Sequence, residues 1–146
     1  MQKFSRDSFN VNEAINELMH ESGVIVIKNA YNLNDIKEAR EIVNHFADTE
    51  EQKETHFNAE AEASKQIKLQ QRIWNLFGKG DIFSKLISDD IIFSLMSKLL
   101  GSEFFCGSYC ASRLLPGSLG QELHIDYPYW DFYNSETFPM GLNSSF

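Results

Sequence analysis

The chain has 146 residues, 42% hydrophobic and 23% charged, with a net charge of −8. That length suffices to bury one core, and no apolar run approaches the length needed to cross a bilayer. The negative balance, with thirteen scattered Lys and Arg, argues against binding nucleic acid or anionic lipid. It also counts against capture of polyanionic substrates such as coenzyme A thioesters.

The first stretch, "MQKFSRDSFNVNEAINEL", has neither an apolar signal region nor a small-residue cleavage site, so a cytoplasmic location is expected. Residues 1 to 46 read as helix, strand, helix. In the first helix Ile15, Leu18 and Met19 make one apolar face, with Asn12 as the expected N-cap and Gly23 beyond the C-terminus. "VIVIK" at 24 to 28 is a β-branched run expected to be a buried strand. Asn34 is then expected to cap a helix carrying Ile36, Ala39, Val43 and Phe46.

Residues 47 to 66 hold almost no large apolar side chain and many charges, so they are expected to form a solvated connection. Such a segment over a site could act as a lid, but an exposed connection is the plainer reading. From 67 the apolar content returns. Ile82, Leu86 and Ile87 mark one helix, while Ile92, Leu95, Met96, Leu99 and Leu100 mark another that Gly101 closes. The period then changes to that of a strand in "EFFCGSYCASRLL", followed by a "PGSLGQ" turn and a strand "ELHIDY". Helices first and strands after is the order of an α+β protein, here a single domain: 1 to 101 a mainly helical scaffold, 102 to 146 the strands.

Cys106 and Cys110 fall in the expected strand. Residues four apart on a strand lie roughly 13 Å apart, too far for a disulfide, so two buried free thiols are expected. Of the four histidines, His20 and His45 sit near expected helix C-termini and His56 in the polar connection. All three read as structural or solvated.

His124 differs. On a strand, His124 and Asp126 point to one face while Ile125 points to the other. An imidazole and a carboxylate so placed, joined by a second histidine, make the facial triad of non-haem Fe(II) oxygenases. That triad leaves positions for a 2-oxo acid and O2, which a structural zinc site would not. A His-x-Asp also arises readily by chance, and a strand histidine is commonly just packed or hydrogen-bonded.

The "LLG" closing a helix, the "LLPGSLGQELHID" turn and strand, and "GVIVIKNAYNLNDIKEAR" together resemble the phytanoyl-CoA dioxygenase family of Fe(II)- and 2-oxoglutarate-dependent oxygenases. "HIDYPYW" followed by "FPMGL" also resembles its ectoine hydroxylase branch, pointing to a small-molecule substrate. The resemblance implies a double-stranded β-helix (jelly-roll, cupin-like) barrel with N-terminal helices packed on it. It implies His124 and Asp126 as catalytic iron ligands, with a distal histidine and a 2-oxoglutarate-binding Arg beyond residue 146. The chain is thus expected to be the N-terminal portion of such a domain, its barrel incomplete, and not to turn over by itself. The family's reaction decarboxylates 2-oxoglutarate to succinate and CO2 and hydroxylates the substrate.

The same resemblance puts a substrate contact at Trp130, with Tyr127 and Tyr129 as a flanking aromatic rim able to meet a cationic or apolar group. Packing is the competing role for all three. Arg113, on the strand before the turn, can fork onto a carboxylate, that of the cosubstrate or that of an ordinary salt bridge. Two other readings compete with a hydroxylase. One is a non-catalytic barrel of the same ancestry that binds a ligand or partner, the other a small interaction domain in which His124 and Asp126 only hydrogen-bond.

Overall fold

A computed structural model describes residues 1–51, 69–118 and 143–145. In chain order the described elements are β1 (Gln2–Ser5), α1 (Val11–His20), β2 (Ile25–Lys28), α2 (Leu33–Thr49), β3 (Gln70–Ile73), α3 (Asp81–Ile87), α4 (Asp90–Leu100) and β4 (Ala111–Leu114). Short 3-10 turns occupy Arg6–Ser8 and Leu76–Gly78. The chain divides into two compact units. Among the described residues each sheet has two strands and neither closes into a barrel. No described helix is long and apolar enough to cross a membrane.

The first unit takes in Met1–Leu33 and Lys85–Phe105. β1 pairs in parallel with β2, Gln2 against Ile25 through Ser5 against Lys28, and α1 supplies the crossover that parallel strands require. The cap of α1 is Asn10, not Asn12: its side chain accepts from the backbone N–H of Asn12 at 3.0 Å and of Glu13 at 3.3 Å. The helix starts earlier because Val11 packs into the core and is already helical. Gly23 takes φ +74, where its N–H bonds to Glu17 O at 3.1 Å and a Cβ would be strained.

The core of this unit is Phe4, Ala14 and Leu95, surrounded by Phe9, Val11, Ile15, Leu18, Ile25, Ile27 and Ile91. Only one face of β2 contributes. Val24 and Val26 remain 47% and 38% exposed, so the run expected to be buried is an amphipathic strand, covered on the side of Ile25 and Ile27. α4 has both ends capped. Asp89 accepts from Ile91 N–H at 3.0 Å, and Gly101, at φ +89, donates its N–H to Ser97 O at 3.1 Å. Polar contacts ring the core: Lys98 donates to Asn12 Oδ1 at 2.9 Å, and Arg6 donates to Ala30 O at 2.6 Å while pairing with Asp89 at 2.7 Å. Burial, reinforced by the Asp89 carboxylate, pushes the Tyr31 phenol above its ordinary value.

The second unit comprises Asn34–Ser84 and, among the described residues that follow, 106–118. β3 and β4 pair antiparallel, Gln70 against Leu114 through Ile73 against Ala111. Leu115 N–H continues the ladder to Leu69 O at 2.8 Å. Ala39, Ala47, Gln70, Ile73, Leu76, Ile82 and Phe83 are buried. β3 interrupts what composition suggested was helical scaffold, since pairing with a distant strand decides the conformation of this polar segment. α2 likewise runs past residue 46 to Thr49 and buries Ala47, the position that continues the stripe of Ala39 and Val43. A small side chain there adds little to apolar composition.

The strand expected from residue 103 begins only at Ala111. Residues 104–110 have no regular structure, Cys106 is exposed and Cys110 half-buried. The expectation of two buried thiols therefore fails at Cys106. Gly107 and Ser108 break the run, and Tyr109 anchors it. The Tyr109 ring packs edge-on against Phe77 and Phe83 at 5.2 and 6.1 Å. Its hydroxyl donates to Phe83 O at 3.2 Å and its carbonyl accepts from Leu76 N–H at 3.2 Å.

Candidate functional site

His124, Asp126, Tyr127, Tyr129 and Trp130 lie outside the described residues, as does the strand expected to carry them. The structure describes the approach to that stretch. β4 ends at Leu114, and the chain then turns at Leu115-Pro116-Gly117-Ser118, with Ser118 N–H bonded to Leu115 O at 3.1 Å and Gly117 at φ +89. Proline second and a positive-φ glycine third is the pattern of a type II turn. The Pro-Gly reversal read from the sequence is thus formed.

Arg113 is the one candidate within the described residues, and β4 directs it toward α2. Its Nε donates to Gln71 Oε1 at 2.6 Å, its NH1 to Asn44 Oδ1 at 3.2 Å, and its NH2 pairs with Asp48. Three parts of the fold make this clamp. Gln71 stands directly opposite Arg113 in the β3–β4 register, where cross-strand side chains meet. Asn44 and Asp48 are four apart on α2, on one helix face. Gln71 Nε2 in turn donates to Ala47 O at 3.0 Å, closing the link between ribbon and helix.

The Arg113 hydrogen bond, assisted by its charge and by His45, holds the Asp48 carboxyl below its ordinary 3.8. The carboxylate that Arg113 meets is therefore that of Asp48, through NH2 alone, and gripping a cosubstrate would require this pair to open. Asn44, Asp48 and Gln71 were not anticipated as its partners. The Asn44–Asp48 spacing on a helix was the available signal, but nothing local ties it to a residue 65 positions away.

His20, the last residue of α1, and His45, on α2 with its ring 5.2 Å from that of Phe46, are both exposed. His56 lies outside the described residues. Among the described residues no group of three or more His, Cys, Asp or Glu could hold a metal ion. No protein-family model matches the chain, nor does any curated protein or solved structure. The likeness to phytanoyl-CoA dioxygenases rests on the residues quoted for it.

Proposed function

We propose that this chain belongs to an Fe(II)- and 2-oxoglutarate-dependent dioxygenase that hydroxylates a small molecule, with His124 and Asp126 as two of the three iron ligands. The observation that carries the reading is the formed Pro116-Gly117 reversal leading out of β4 into "ELHID", the setting that the resemblance requires of the motif. The donor set fits the metal: one imidazole nitrogen and one carboxylate oxygen suit ferrous iron and leave room for further ligands. The resemblance calls for a second histidine as the third ligand.

Iron bound there supplies O2 activation coupled to decarboxylation of 2-oxoglutarate. This chain's residues supply positioning. His124 and Asp126 hold the metal, Trp130 with Tyr127 and Tyr129 lines the substrate side, and the Arg113 clamp steadies the strand that leads into the motif.

The test is anaerobic titration of the 146-residue chain with Fe(II) and 2-oxoglutarate, followed by the visible charge-transfer absorption. The band is expected in the parent chain, to strengthen when free imidazole supplies the third ring, and to vanish in His124→Ala and in Asp126→Ala. Spectra that ignore both substitutions would return His124 and Asp126 to ordinary hydrogen bonding. Tight 2-oxoglutarate binding without iron would favour the non-catalytic barrel.

A further inference from the structure

We infer that Cys106 and Cys110 form an oxidisable dithiol, a modification site that a low-molecular-weight disulfide closes into an intramolecular bond. The inference is independent of His124 and Asp126. An extended strand would hold the two residues apart, but 104–110 is not a strand, and both sulfurs converge on the residue between them. Cys106 Sγ donates to Ser108 O at 3.5 Å, and Ser108 Oγ donates to Cys110 Sγ at 4.0 Å. They are the chain's two cysteines, and both are free.

The surroundings give the two thiols different roles. Cys106 is exposed, next to an exposed Gly107 at which an added Cβ would meet nothing within 4 Å. Glycine there also has the widest torsional freedom of any residue. Cys110 is half-buried between the anchored Tyr109 and the first residue of β4. Cys106 is thus the accessible thiol and Cys110 the one that resolves.

With glutathione disulfide as oxidant, the Cys106 sulfur attacks one sulfur of the reagent. The reagent's S–S bond breaks, a mixed disulfide forms, and one glutathione leaves carrying the proton. Cys110 then attacks the Cys106 sulfur, the protein–glutathione bond breaks, and the second glutathione leaves with the second proton. The protein loses two protons and two electrons, and the oxidant becomes two thiols. The ring closes around Tyr109 by drawing Cys106 inward, so the Ile73–Ala111 pairing of β4 is retained.

The chain would be equilibrated in glutathione redox buffers, quenched with an alkylating reagent and weighed by mass spectrometry. A short linker holds its ends at an effective concentration of mM order, so at about 0.1 mM reduced glutathione the internal disulfide should exceed the singly glutathionylated form roughly tenfold. Cys110→Ser should stop at glutathionylated Cys106, and Cys106→Ser should leave Cys110 mainly reduced. The same titration in urea gives the unfolded reference, which the folded chain should equal or exceed. A folded preference well below the unfolded one, a dominant mixed disulfide, or disulfide-linked dimers would overturn the inference.

Discussion

The two compact units stabilise similar two-stranded ribbons by different means. A ribbon of four-residue strands buries too little to stand by itself. In the first unit the solution is apolar: Phe4 of β1 and Ile25 and Ile27 of β2 lie against α1 and α4, with ion pairs confined to the rim. In the second, β3 buries Ile73, but the ribbon is also tied to α2 through Arg113, Gln71, Asn44 and Asp48. The first arrangement needs only apolar side chains on one face of each strand. The second depends on polar groups finding one another across long stretches of chain.

Substitutions should separate the two designs. Phe4→Ala empties the first core and is expected to cost about 3–5 kcal/mol, read by chemical denaturation, with little dependence on salt. Arg113→Ala in the second unit should cost about 1–3 kcal/mol, because Gln71 and Asn44 lose a donor within a part-buried cluster. Arg113→Lys should recover little, since an ammonium cannot span three acceptors as the planar guanidinium does. If Lys restored full stability, charge rather than geometry would be what holds β4 to α2.

A smaller loss, about 1 kcal/mol, is expected for Asn10→Ala, which removes the acceptor for the Asn12 and Glu13 N–H groups. Asn12→Ala should keep the helix cap, and a reversal of that order would contradict the observed start of α1. The smallest effect is the pH response of the clamp. The Asp48 carboxyl is depressed in the folded chain, so its contribution is complete above the unfolded value of about 3.8. It is lost as pH falls through the folded value. Denaturation midpoints measured downward from about pH 5 should therefore drop more in the parent chain than in Asp48→Asn.

Helices were largely legible in the sequence. The stripe of Leu95 and Leu99 and the closing Gly101 marked α4, and a Gly in the left-handed region after α1 was visible as Gly23. Strands were less so. β1 offers one apolar residue, Phe4, and β3 reads Gln-Gln-Arg-Ile, neither showing a period to detect. At the site, the residue types of the His-x-Asp pair and the Pro-Gly reversal could be read directly. The role of Arg113 could not, because its forked geometry suits a cosubstrate and a salt bridge alike.

What the order of residues determined is what neighbouring positions can enforce: α1, α2 and α4 through i, i+3 and i+4 apolar spacing, the Pro116-Gly117 turn through its backbone torsions, and the donor chemistry of His124 and Asp126. Tertiary structure decided which face of β2 is covered, that Gln70–Ile73 is a strand, that Cys106 is exposed, and that Arg113 holds Asp48. The physical reason is range. A helix closes its hydrogen bonds within four residues, whereas Gln71 meets Arg113 across 42, and such a pairing exists only once the intervening chain has folded.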